Sequence, residues 1–126
     1  MNPNAKSAVP AEPVKEIQAI KELLEKDYEA QVLQATQPVA LDFYSAGSAP
    51  CAALAPRFGA VAEKFAERIS FFKVLRESNE GLAKKLNVTA SPTLIFFKSG
   101  KELGERLTGD DIKRTSLKAS VEALLK

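Results

Sequence analysis

Few side chains in this sequence could carry chemistry. The 126 residues include one cysteine, Cys51, and no histidine. A lone thiol excludes an intrachain disulfide, a two-cysteine redox couple and a zinc site built on cysteines. Without histidine, Ser–His–Asp and Cys–His activation are excluded, and so are imidazole-ligated metals. We expect no metal and no cofactor. Cys51 closes the run Ser48-Ala49-Pro50-Cys51, which follows a loop of small residues at a helix start. Asp42 stands inside the apolar run Val39-Ala40-Leu41-Asp42-Phe43-Tyr44. A carboxylate buried there is costly to ionise without a partner, so its proton should be held above the ordinary carboxylate range. Lys73 interrupts a second apolar run, Ile69 to Leu75, and Ser91-Pro92 leads into a third, Thr93 to Phe97.

The elements that must position these residues follow from periodicity. Residues 1–13 are small, polar and proline-punctuated, which predicts a flexible tail ahead of one domain over 14–126. Val14, Ile17, Ile20 and Leu24 recur at helical spacing and predict an extra N-terminal helix over 14–26, with a short strand at Ile20–Leu24 as the competing reading. A short helix is expected from Tyr28 to Ala35, then a buried strand at Val39–Tyr44. Leu54, Phe58, Val61 and Phe65 share one face of a helix over 50–67, with Pro56 inside it. Next come a strand at Ile69–Leu75, a helix at Asn79–Leu86, and a strand from Thr93 closed by a Ser99-Gly100 turn. The returning strand runs from Lys101 to Leu107, and Asp110 or Asp111 should cap a last helix burying Ile112, Leu117, Val121 and Leu124. Phe71-Phe72 and Phe96-Phe97 read as sheet residues facing two helical layers. The fold class is α/β: a mixed central sheet, with a parallel crossover and a hairpin, flanked by helices on both faces.

Composition bounds the partners. Hydrophobic residues make up 45% and charged ones 27%, a balance fit for one packed core. A formal charge of +2 is too weak to argue for nucleic acid or an anionic membrane. No apolar run approaches the roughly 20 residues that span a bilayer, and Met1 to Pro13 lacks a signal-peptide core. The expectation is a cytoplasmic monomer.

Taken together, the residues resemble the thioredoxin family from about Tyr28 to Leu125. Leu41-Asp42-Phe43-Tyr44 is similar to its central strand with a buried acid, and Ser48-Ala49-Pro50-Cys51 stands where that family has Cys-Gly-Pro-Cys. Pro56 matches the helix-kinking proline, Lys73 the lysine of the following strand, Ser91-Pro92-Thr93 the cis-proline loop, and Gly109 the glycine after the hairpin. The resemblance implies a thioredoxin fold and a thiol–disulfide oxidoreductase role in redox homeostasis. Its substrates would be disulfide-containing or extended-peptide proteins, with a thioredoxin-reductase-type partner. It makes Ser48 the nucleophile position, Cys51 the resolving thiol, Asp42 the acid–base assistant and Lys73 its neighbour. Ala49, Pro50, Ser91, Pro92 and Gly109 become the substrate surface.

Two departures bear on that role. Gly47 replaces the aromatic residue ahead of the motif, and serine replaces the attacking cysteine. A serine hydroxyl is too weakly acidic to substitute for a thiolate near neutral pH, so the chain as written should not cycle between dithiol and disulfide. Three readings stay open. Ser48 replaces a cysteine of a protein-disulfide reductase, or the chain is a redox-inactive module that grips an extended peptide or partner protein. The third is a one-cysteine peroxidase or sensor, whose other active-site features are missing. Cys51 is then either a residual reactive thiol or a small buried hydrophobe.

Overall fold

The computed structural model describes residues 19–126. The 1–13 tail and the first part of the expected 14–26 helix lie outside these residues. The chain runs through strand β1 (Ile20–Glu22), two short helical turns (Glu25–Asp27 and Glu29–Leu33), β2 (Val39–Tyr44), helix α1 (Ala49–Phe65) and β3 (Ser70–Leu75). A helical turn (Arg76–Ser78), α2 (Glu80–Lys85), β4 (Thr93–Lys98), β5 (Lys101–Glu102), β6 (Leu107–Thr108) and α3 (Arg114–Leu124) complete it.

The sheet is ordered β1-β3-β2-β4-β5, with β6 also paired to β4. Strands β1 and β2 run parallel to β3, and β4 runs antiparallel to β2, β5 and β6. The α1 crossover between β2 and β3 is the parallel connection that the apolar runs demand. Strand side chains alternate between two faces. One face gathers Ala40, Phe71, Leu94 and Phe96 against Leu54, Phe58, Val61 and Phe65 of α1 and Leu117, Val121 and Leu124 of α3. The other packs Val39, Leu41, Phe43, Phe72, Val74, Ile95 and Phe97 against Leu23, Tyr28, Val32, Leu82 and Ala83. The adjacent phenylalanines therefore divide between the two layers.

Three local expectations need correction. Ile20–Glu22 is a strand, not the continuation of an N-terminal helix, because the free edge of β3 supplies backbone partners that outweigh a helical apolar spacing. The segment 101–107 is not one strand: Gly104, at φ +76, turns the backbone out of the ladder and leaves β5 and β6 as separate pairs with β4. Neither Asp110 nor Asp111 caps the last helix, which begins after Lys113 without a side-chain cap, while Asp111 pairs with the Lys113 ammonium at 3.2 Å. The Ser99-Gly100 turn has positive φ at both residues, and a Cβ on Gly100 would stand 2.5 Å from the Leu33 carbonyl oxygen. Only glycine fits there.

Candidate functional site

The start of α1 is built by Ser48. Its backbone is extended and its Oγ accepts a hydrogen bond from the Cys51 N–H at 3.3 Å, so it is the helix N-cap. Serine is among the preferred caps, and Pro50 falls in the first turn, where a missing N–H leaves no bond unmade. Cys51 is thereby held one turn in, 8% exposed, and its Sγ accepts from the Ser45 N–H at 3.4 Å. The Ser45 hydroxyl donates to Ser91 Oγ at 2.8 Å, and Arg76 Nη1 donates to the same oxygen at 3.0 Å. One polar chain thus ties the helix start to the loop ahead of β4.

In that loop the Ser91–Pro92 peptide bond is cis, and the Thr93 hydroxyl donates to the Ala90 carbonyl at 2.8 Å. Thr93, the residue after Pro92, pairs with Thr108, the residue before Gly109. Pro92 is buried, Ser91 half-buried, and Ala49, Ala90 and Gly109 are exposed. The loop after β2 is fixed by Glu77, whose carboxylate accepts from the Ala46 N–H at 3.0 Å. That backbone bond, with a smaller contribution from Arg76, holds the Glu77 carboxyl below the usual range.

Asp42 is 7% exposed, and its Oδ1 has no hydrogen-bond partner. Among the described residues it belongs to no ion pair. Burial lifts its carboxyl from an ordinary 3.8 to about 7, with the Lys73 charge pulling part of the way back. Strand pairing sets Glu22 beside Lys73 and Lys73 beside Asp42, a transverse row of acid, base and acid across β1, β3 and β2. The Lys73 ammonium lies 3.9 Å from Glu22 Oε1 and 5.5 Å from the centre of the Tyr44 ring. Tyr44 donates its hydroxyl to the Glu22 carboxylate, at 3.1 and 3.0 Å from its two oxygens. Burial first, then Glu22, pushes the Tyr44 phenol up to about 12.

Asp42, Ser48, Ala49, Cys51 and Lys73 line one cleft of about 420 Å³, together with Tyr44, Ser45 and Gly47. Pro50, Ser91, Pro92 and Gly109 do not line it; of these, Ser91 is tied to the cleft through the Ser45 hydroxyl. The candidate acid, lysine, thiol and serine are therefore brought together, with Ala49 of the candidate substrate surface in the same cleft and Ser91 linked to it through Ser45. Glu22, Tyr44, Ser45 and Arg76 were not singled out from sequence. The strand reading of 20–24 was the signal for Glu22, because alternation would have put Ile20 and Glu22 on one face. An unpaired carboxyl that exchanges its proton near neutral pH, in the same cleft as a thiol, can accept or return a proton there. Among the described residues no cluster of three or more His, Cys, Asp or Glu could hold a metal, and no helix is long and apolar enough to cross a membrane.

Comparison with known proteins agrees with this geometry. The family model described as Thioredoxin matches residues 19–123. The chain is 36% identical over 104 residues to a thioredoxin of Acetoanaerobium sticklandii, covering 82% of this chain and 94% of that protein. It is 31% identical over 107 residues to the chloroplastic thioredoxin X of Arabidopsis thaliana and 30% over 115 residues to the chloroplastic M-type thioredoxin of Spinacia oleracea. Those two matches cover 84% and 91% of this chain but 58% and 61% of the plant proteins, so the chain spans about three-fifths of their length.

Proposed function

Because this chain belongs to the thioredoxin family, we propose that its cleft is a thiol–disulfide exchange site in which Ser48 holds the place of the attacking cysteine. Thioredoxins act on protein disulfides. In the two-cysteine reaction the first thiolate attacks a substrate disulfide, forming a mixed disulfide and releasing one substrate thiol. The second thiol then attacks its neighbour, frees the other substrate thiol and leaves an internal disulfide. Two electrons pass to the substrate, and a reductase-type partner must return them. Cys51 is the second thiol, and Asp42 takes its proton as it attacks. Pro92 and the Ser91 backbone, with Ala49, Pro50 and Gly109, receive an extended substrate segment by main-chain pairing.

The observation that carries this reading is the cleft itself: one sulfur, one buried unpaired acid and a serine oxygen, with the serine hydroxyl already committed to capping α1. With one sulfur the cycle stops before its first step, so the chain as written does not turn over. Restoring the pair by Ser48→Cys should produce dithiothreitol-driven precipitation of insulin, and Ser48→Cys/Cys51→Ser should not sustain it. A folded Ser48→Cys protein without activity refutes the reading. A single unpaired thiol suits the reducing cytoplasm.

A second reading is a redox-inactive module that binds extended peptides or a partner protein. It is favoured by the Ser48 capping bond, which gives serine a structural role of its own. It requires binding indifferent to reductant, and loss of captured partners in Cys51→Ser would count against it.

A further inference from the structure

We propose that Glu22, on the edge strand β1 beyond β3, is a positioning residue for Asp42: it holds the Lys73 ammonium at the outer end of the row and leaves the buried carboxyl without a cationic partner. This rests on reading Asp42 as the acid of the site.

The backbone sets up a competition. Lys73 pairs with Glu22 on one side and with Asp42 on the other, and all three side chains lie on the α1 face of the sheet. A lysine between two carboxylates has two partners within a strand spacing. Three observations show which one holds it. The ammonium is 3.9 Å from Glu22 and stacks over the Tyr44 ring. Tyr44 donates to both oxygens of Glu22 and so fixes the carboxylate that attracts the lysine. Asp42, in contrast, keeps Oδ1 unpartnered.

The physical reason lies in solvation. Glu22 and Lys73 are each 41% exposed, so their pairing leaves both charges in contact with water. Pairing Lys73 with Asp42 would draw the ammonium inward and require two buried charges, with a desolvation penalty on each. Glu22 offers the lysine a wet partner and removes the incentive to move inward.

The other neighbours of Asp42 cannot replace that control. Its register partner on β4 is Leu94, α1 contributes Cys51 and no cation to the shared cleft, and its own strand contributes the Tyr44 phenol, protonated over the working range. Lys73 on β3 is the cation that acts on Asp42, and burial is the larger influence. Removing Glu22 should therefore free Lys73 to approach Asp42 and lower the pH at which that carboxyl loses its proton.

The test is a pH titration of the Asp42 side-chain carbonyl by carbon-13 NMR on the full chain. Glu22→Gln is compared in the native background and in a Lys73→Met background. Glutamine is isosteric and the position is exposed, so the fold should be kept. We expect Glu22→Gln to lower the Asp42 midpoint by about 1 pH unit, at the low end of the effect of an opposite charge at about 4–6 Å. In the Lys73→Met background the same substitution should leave it unchanged. An equal drop in both backgrounds would mean that Glu22 acts directly through its charge, and no drop with Lys73 present would mean that it does not act at all. Either result overturns the proposal. The readout needs no disulfide exchange, so it stands or falls apart from the activity of Ser48→Cys.

Discussion

Replacing Asp42 by asparagine should change how stability depends on pH. In the folded chain burial lifts this carboxyl from 3.8 to about 7. At low pH both folded and unfolded chains hold the proton. As pH rises past 3.8 the unfolded chain releases it while the folded chain keeps it, so stability falls until about pH 7, where the folded group ionises too and the loss levels off. At roughly 1.4 kcal/mol per pH unit, the gap corresponds to at most about 4 kcal/mol, and local relaxation reduces this to about 2–4 kcal/mol. Asparagine cannot titrate. The stability of the native chain relative to Asp42→Asn should therefore drop by that amount between pH 4.5 and 8.5. Urea unfolding followed by far-ultraviolet circular dichroism suits a chain without tryptophan. With a urea slope of about 1–3 kcal/mol per molar, the difference in midpoints should change by about 0.7–4 M. Parallel pH profiles for the two proteins would refute the claim that Asp42 is buried without a partner.

Two further substitutions test the local geometry. Ser48→Ala removes the α1 cap and should destabilise the fold by about 1 kcal/mol, read from the urea midpoint, with Cys51 more quickly alkylated as the first turn frays. Gly100→Ala combines a left-handed backbone with a Cβ directed at the Leu33 carbonyl and should cost about 2 kcal/mol or more in the same assay.

Much of this architecture was legible in the residue pattern. The apolar runs at Val39, Ile69 and Thr93 are long enough to be strands and too short to be helices, and Ser99-Gly100 can close only a hairpin. The α1 face repeats at helical spacing, while the capping role of Ser48 was not read from the sequence, which placed Ser45 to Pro50 in a loop. Asp42 stood out because a single acid interrupts an apolar strand. What escaped was set by pairing across the sheet. Glu22 lay in a segment with helical spacing, and only the free edge of β3 made it a strand and brought it level with Lys73. Ser45 and Arg76 are unremarkable polar residues until chain reversal brings Ser91 within hydrogen-bond reach of both. The missing cap at Lys113 shows the reverse: good capping residues stood at 110 and 111, but the helix began beyond them.

The proposed exchange reaction requires position 48 to be the partner position of Cys51. Its most direct test is the mass of oxidised Ser48→Cys protein. We predict a monomer lighter by two hydrogens, with the 48–51 disulfide located by peptide mapping and reopened by dithiothreitol. A folded protein in which both thiols stay free, or link only between chains, would contradict it.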